Sequence, residues 1–419
     1  MIAMTDNLLW GNHYLMKGFD KASTDDIMKL GVKDKDGHAL TTKSNENGIY
    51  VTVGSDNILD KHRDYRLINQ MNWLLDGHQD LSSKAPDVAF LTAALVDPQG
   101  ARATDRVEAL AMDAGVLAET KRMGDDIQGL MLDHAGAGRV GYGTFWADGL
   151  FAKTKSGDFK RASGSSAYDS ETTGFAFGLD LPITNVDWRV GAAFSAHRGD
   201  LDGQDGLSSD IEGYGFSVYG GRTFDSGFNV TTALSYLTTS HDIAGHNLGT
   251  VKADVDANVW VFGGRVAMPF AYKQVWMTPY LGAEVMKLKE DGFTASWQHQ
   301  AAFRYDDVDA TLIRTPLGVK AGTFMPLEWL GHSGTLNWDI DVALVPQFGD
   351  KEAEYRVSGV TNGHSDGVKG GFADDWLTTA KLGMSWQGAS GAIGIYYGAE
   401  LGAVRELSHT VRAKAAIYF

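Results

Sequence analysis

The chain of 419 residues contains no cysteine, which removes disulfide frameworks and thiolate metal sites and suits passage through an oxidising compartment. It has no apolar run of roughly 18 residues, so a transmembrane helix is excluded; if the chain spans a membrane at all, it must do so as a closed β-barrel. Proline is scarce, 8 in the whole chain, which leaves strand ladders largely uninterrupted. Basic residues are outnumbered, 37 against 53 acidic ones, for a net charge of −16. That balance argues against a nucleic-acid partner, which would require a basic face, and fits acidic loops on a cell surface. The opening MIAMTDNLLWG has no basic stretch followed by an apolar run and does not read as a secretory signal. On a barrel reading, the expectation is that this sequence is the C-terminal part of a longer precursor.

What is abundant is glycine (51) and aromatic side chains (15 Tyr, 11 Trp, 19 Phe), suited to tight turns and interfacial girdles. The last thirteen residues, 407–419, alternate to the end: Leu407, Val411, Ala413, Ala415, Ile417 and Phe419 share one face, and Ser408, Thr410, Arg412, Lys414 and Tyr418 the other. A chain that stops inside a strand on an aromatic residue reads as the closing strand of an outer-membrane barrel. Upstream, twelve alternating segments can be counted, with cores near 139–153, 171–181, 186–197, 210–223, 227–240, 252–268, 274–289, 309–324, 335–346, 376–387, 390–402 and 407–419. Each is long enough to cross a bilayer at barrel tilt. Leu336, Trp338, Ile340, Val342 and Leu344 would face lipid, which turns Asn337, Asp339 and Asp341 into a wet lumen, since an isolated carboxylate in lipid is costly. By the same phase Trp188, Val190, Ala192, Phe194 and Ala196 face out and Arg189, Ser195 and His197 face in. Ile313, Leu317 and Val319 face out against Arg314 and Lys320. Near Gly263 and Gly264 the phase is expected to slip through a bulge. The connections PITNV, FDSG, PFAYKQ and QGAS are short, whereas those after strands 1, 3, 5, 7 and 9 are long and polar, which assigns the short side to the periplasm. MPLEWLGHSG after strand 8 and the short last hairpin near 404–406 depart from this rule.

Residues 104–134 change period. Val107, Leu110, Ala111, Ala114 and Leu117 recur at helical spacing, Asp105 is positioned to cap, and AGAG (135–138) reads as a hinge. The helix carries Arg106, Glu108, Asp113, Glu119, Lys121, Arg122, Asp125 and Asp126. The inward charges of the barrel, Arg189, Glu284, Arg314, Lys320, Asp339, Asp341, Lys381, Glu400, Arg412 and Lys414, could pair with them or simply solvate a water-filled lumen. The first 65 residues read as short strands (12–17, 48–53) resembling the last coils of a β-solenoid, and HRDYRLINQMNWLLDG and APDVAFLTAALVD read as helices.

No motif argues for catalysis. His332–Ser333 is the nearest pairing of base and nucleophile, but it lies in a Gly-flanked turn without the strand–turn–helix context of a nucleophile elbow. Asp200, Asp202 and Asp205 lack the closing bidentate acid of a Ca²⁺ loop, and Asp34 and Asp36 read equally as a solvated turn. Arg198–Gly199–Asp200 is too short a match to imply adhesion. The expectation is a non-enzyme with no cofactor and no metal.

The helix ending LAETKRMGDDI, followed by GRVGYGTFWADGLFAK, WRVGAAFSAHRGDLDG, IEGYGFSVYGGRTF, MTPYLGAEVMKLKEDGF and the terminal IYF, resembles the monomeric autotransporters of type V secretion over residues 104–419. YLMKGF and GIYVTVGSDN resemble the end of a passenger. The resemblance implies an all-β fold: a twelve-stranded antiparallel transmembrane β-barrel (139–419), a pore-threading helix and hinge (101–138), and a passenger remnant (1–100) with a β-solenoid-like fragment. It implies an outer-membrane translocator of a Gram-negative bacterium, monomeric and surrounded by lipid, assembled with periplasmic chaperones and the barrel-assembly machinery, and displaying its own passenger at the cell surface. Ile417 and Phe419 would be the assembly signal, although Lys414 stands where that pattern has a glycine. The alternatives are a barrel lipase or protease, or a passive porin, neither of which needs a lumen-length helix before the first strand. Members that cleave themselves in the pore carry an Asn–Asn pair where this chain has Leu117 and Ala118, so self-cleavage is not expected.

Overall fold

A computed structural model describes residues 2–3, 11–17, 32–33, 39–40, 42–45, 48–53, 85–96, 107, 110–137, 141–157, 167–183, 188–203, 206–246, 249–361, 365–403 and 406–419. Asp105, Arg106, Glu108, Asp34, Asp36, Asp205 and the segment 62–77 lie outside the described residues.

Alternation of apolar and polar side chains builds β1 (Thr144–Lys155), β2 (Tyr168–Ile183), β3 (Trp188–Gly203), β4 (Ser208–Thr223), β5 (Asn229–His246), β6 (Thr250–Ala267), β7 (Val275–Glu290), β8 (Val308–Arg314), β9 (Leu317–Trp329), β10 (His332–Gly349), β11 (Trp376–Gly388), β12 (Gly391–Gly402) and β13 (Leu407–Tyr418). β8 and β9 are one stave interrupted at Pro316, because both pair with β7 (Glu284↔Arg314, Leu281↔Leu317). Twelve antiparallel staves result. They close when β13 pairs with β1, from Leu407↔Lys155 to Tyr418↔Thr144. Closure removes sheet edges, which is what allows strands to face lipid.

The outer face carries exposed Phe145, Phe177, Val190, Phe194, Trp260, Phe262, Leu281, Val285, Ile313, Leu317, Trp338, Ile340, Val342 and Leu382. This is the lipid belt. Arg189, Ser195, His197 and Asp341 are buried on the inner face, the alternation expected from sequence. The bulge expected at Gly263–Gly264 is absent: β6 keeps unbroken register with β5 and β7 through Ala267. The glycines serve close packing instead. A Cβ on Gly263 would meet Glu284 Cγ at 2.6 Å, and one on Gly264 would meet the Thr231 carbonyl at 2.7 Å.

Short turns lie on one side, as at 224–228 and 389–390. Among the described residues, four of the long connections expected on the other side are largely strand: those after β7 and β10 hold the hairpins Thr294–Trp297 with Gln300–Tyr305 and Glu352–Gly359 with Ser365–Gly371. β3–β4 and β5–β6 continue as tall hairpins with pairs such as Asp200↔Asp210 and Asp242↔Asp254. The reason is inside: Leu201, Ile211, Ile243, Val251, Ala253 and Val255 remain buried at that height, so the ladder extends wherever it has something to cover. MPLEWLGHSG is likewise strand, the β9–β10 hairpin, which turns at Leu330–Gly331.

Upstream, Gly11–Lys17 pairs antiparallel with Gly48–Val53, which pairs antiparallel with Thr42–Asn45. This corrects the solenoid reading, whose coils would stack in parallel; among the described residues, only Ile2–Ala3 with Val32–Lys33 is parallel. A meander can satisfy its backbone within itself, without stacking neighbours. Among the described residues, three helices precede the barrel: α1 (Pro86–Val96), α2 (Leu110–Asp113) and α3 (Val116–Ala137). The helix expected over 104–134 is therefore broken at Ala114–Gly115, where Gly115 adopts φ +62, a conformation glycine takes without steric cost. AGAG is not wholly a hinge, since α3 runs through Ala137 and the first strand begins at Thr144.

Candidate functional site in the barrel lumen

α3 lies inside the barrel, off centre against β3 to β7. Its N-terminal end packs beside Tyr168 and Leu201 at the long-connection mouth, and the Ala135 carbonyl sits against Gly221 at the short-turn end. Gly124 permits the close approach: a Cβ there would meet Val259 Cγ1 at 2.9 Å. Gln128 anchors the middle, donating to the Ala233 carbonyl (3.1 Å) and accepting from Ser235 (2.8 Å).

Charges in the periplasmic half are paired between helix and wall. Asp133 is the hub. Its carboxylate meets Lys320 from β9 at 2.5 Å, Arg412 from β13 at 3.5 Å and Arg265 from β6 at 3.6 Å. Arg314 reaches both Asp125 of the helix and, at 3.3 Å, Glu284. Arg122 is held within the helix by Glu119 (2.5 Å) and Asp126 (2.7 Å) and donates to Thr172 of β2 at 2.7 Å. Lys121 pairs with Asp125 one turn on (3.1 Å). Near the helix C-terminus, His134 stacks on Trp146 with centroids 3.7 Å apart and bonds Asp148 at 2.7 Å, while Arg412 meets the same carboxylate at 3.0 Å.

Among the sequence-derived lumen charges, Arg314, Lys320 and Arg412 contact the helix through these ion pairs. Asp341 accepts from Tyr280 (2.9 Å) and lies 3.8 Å from Lys320. Arg189 pairs with Asp180 of β2 (3.0 Å). Asp339, Lys381, Glu400 and Lys414 line a cavity of about 500 Å³ beside α3. Sequence reasoning missed Asp133, His134, Asp148 and Arg265. Arg265 was hidden by the expected bulge; continuing the alternation from Phe262 through Gly264 and Val266 would have turned it inward. Ile417 and Phe419 lie on the outer face, 61% and 62% exposed. Phe419 exchanges two backbone hydrogen bonds with Gly143 (2.9 and 3.0 Å). His332 and Ser333 are exposed in the short-side hairpin, and Asp200 and Asp202 are exposed at the opposite end.

Much of the outer half of the lumen is apolar packing, with Glu119, Arg122, His241 and Glu406 buried beside it. Val107, Leu110, Met112, Val116, Leu117 and Met123 pack with Ile211, Leu237, Val255, Val259, Met286 and Leu288 in one apolar cluster. Of the two readings left open for the interior, water filling does not describe this cluster, because a lumen occupied by its own chain becomes a protein core. α1 closes the mouth: Phe90 stands edge-on to Trp297 (5.7 Å) and Phe303 (5.5 Å), and Asp87 accepts from the Thr361 N–H at 3.0 Å. Within this cap, beyond the membrane and level with outward-facing Lys287 and Lys289, Glu290 is buried and accepts from Tyr355 at 2.7 Å. Burial pushes its carboxyl up to about 8. A raised acid binds more protons folded than unfolded, so the cap should lose stability as pH rises from about 4.5 to 8, with no further loss above. Urea midpoints of purified protein should therefore fall across that window, and Glu290→Gln should flatten the slope; an unchanged slope in the variant would refute the assignment.

The autotransporter β-domain family model matches residues 145–400. YaiT of Escherichia coli (strain K12) is 27% identical over 197 residues, covering 46% of this chain and 19% of the relative. Outer membrane protein B of Rickettsia japonica is 25% identical over 168 residues, covering 37% of this chain and 10% of the relative. The chain thus spans about a fifth or less of the length of these relatives. Among solved structures, the translocator domain of the autotransporter NalP from Neisseria meningitidis superposes with a TM-score of 0.58 at 12% identity, over 74% of this chain and 99% of that one, a likeness of fold. With the family model covering more than half of the sequence and a closed twelve-stave barrel threaded by its own helix, the chain belongs to the autotransporter β-domain family and is an outer-membrane barrel.

Proposed function

We propose that this barrel is the translocator for an upstream passenger and that α1 to α3 remain as its plug once export is complete. The observation that carries the reading is the direction of α3. It enters at the long-connection mouth and ends at the short turns, so a chain emerging upstream of α3 starts on the outer side when short turns face the periplasm. A porin or a barrel enzyme has no use for such a thread, and export without catalysis is the simpler activity. An epitope fused ahead of Met1 should be removed by protease added to intact cells, while the barrel stays protected. An epitope protected until the cells are lysed would refute export. Leu117 and Ala118, both buried, offer no side-chain amide for backbone attack, so the purified protein should keep its N-terminal segment through long incubation. A spontaneous, sequence-defined break between residues 110 and 130 by mass spectrometry would contradict this.

Ile417 and Phe419 form the assembly signal in this reading, presented to the barrel-assembly machinery after delivery by periplasmic chaperones. Full burial of such a side chain contributes roughly 1.5–3 kcal/mol at most, and Phe419 is exposed. Phe419→Ala should therefore reduce outer-membrane yield far more than it lowers the urea midpoint of barrel already folded. Equal yields for variant and wild type would sink the signal role.

A further inference from the structure

The β9–β10 hairpin descends farther on the periplasmic side than its neighbours. β7 pairs with β9 only down to Val275↔Thr323, and β11 meets β10 only down to Gly334↔Gly388, yet the hairpin continues to Trp329↔His332. Its outward row does not turn polar there. Leu317, Val319, Ala321 and Thr323 of the belt are followed on the same face by Met325, Leu327 and Trp329, 47%, 38% and 42% exposed. Trp329 lies edge-on to Trp386 with centroids 5.4 Å apart, and the Trp386 indole donates to the Leu327 carbonyl at 3.3 Å.

The tip is more unusual. A two-residue turn with both φ positive favours Asn-Gly or Gly-Gly; here it is Leu330 (φ 50) and Gly331 (φ 77). A leucine in the left-handed region is sterically disfavoured, and this one is also 77% exposed. Both costs fall on the same side chain, beside an aromatic pair.

We propose that this hairpin is a lipid anchor, with Leu327, Trp329 and Leu330 seated in the headgroup–acyl boundary of the periplasmic leaflet. The apolar row is continuous with the belt, and tryptophan is favoured at that depth because its ring is apolar and its N–H polar. A peptide strand added to the free edge of β9 fits less well. Phe324 points its N–H across that edge to Gln274 (3.3 Å), so the next residues of that parity are Pro326, which has no N–H, and Glu328, which is charged. Both blunt an edge against further pairing. The outward face is thus left for lipid.

The absence of native cysteine makes the test direct. Leu330→Cys and, as a second reporter, Leu327→Cys are labelled with an environment-sensitive fluorophore and refolded into phosphatidylcholine vesicles. Val319→Cys in the belt and Asp225→Cys in a neighbouring short turn serve as references, and heat-modifiability checks that each barrel is folded. The expected result is emission from both hairpin reporters blue-shifted relative to Asp225→Cys, with loss of intensity to lipids brominated near the headgroup exceeding that to lipids brominated at the chain end. Emission matching Asp225→Cys, without quenching by either lipid, overturns the anchor. A blue shift appearing only when periplasmic extract is added also overturns it, in favour of a protein partner.

Discussion

Barrel refolded without residues 1–140 should show single-channel conductance several-fold above that of the complete chain in planar bilayers. In the complete chain α3 occupies the lumen against β3 to β7, and much of the outer half is a packed apolar cluster. The cavity of about 500 Å³ beside α3 is lined by Asp125, Asp133, Lys320, Lys381, Arg412 and Lys414, and its neighbours at Thr223, Asn229 and Pro269 belong to the short-turn end. Ions should therefore enter from the periplasmic side and stop beneath the cap. Removing only residues 1–109, which leaves α2 and α3 in place, should keep conductance low, because Val116, Leu117 and Met123 remain in one apolar cluster with Val255 and Val259. Equal conductance for the complete chain and the 1–140 deletion would contradict the plug.

Asp133→Ala should free the helix without unfolding the barrel. The one carboxylate faces three cations drawn from β6, β9 and β13, so its removal leaves several inward charges without their helix partner. Breaking a fully buried pair costs roughly 3–5 kcal/mol. The side chains here are 14% to 30% exposed on the cation side and 19% on the acid, and the cavity admits water, so about 2 kcal/mol is the expected loss. The readout is selective: the variant should show frequent opening events in bilayers while keeping wild-type heat-modifiability, and adding Lys320→Ala should cost less than the sum of the single changes. Channel recordings as quiet as wild type would show that the apolar contacts alone hold α3.

Much of the barrel was legible because a strand in lipid must satisfy a simple rule. Every second side chain from Trp188 to Ala196, and from Leu336 to Leu344, is apolar, and a hydrocarbon neighbour leaves the other face as the only place for Arg189, Asp339 or Asp341. The number of staves and their order follow from counting such runs, and closure follows from the bilayer's intolerance of open edges. The helix was legible as a change of period, and its charge as a need for wet or paired partners.

Which partners these are was decided only by the tertiary structure. Asp133 is one carboxylate among 53 acidic residues, and nothing local distinguishes it; it becomes a hub because strands far apart in sequence bring Arg265, Lys320 and Arg412 around one turn of α3. The break at Gly115, the bulge that Gly263 and Gly264 do not make, and the upward extension of β3 to β6 share a physical cause. Each depends on what stands opposite: Tyr168 against the turn, Glu284 and Thr231 against the glycines, and the α2–α3 junction inside the tall hairpins. The sequence by itself determined which faces meet lipid, since that partner is the same along every stave. The apolar packing in the outer half of the lumen was left to the structure, since its partner is the chain's own folded segment and exists only once the barrel has closed around it.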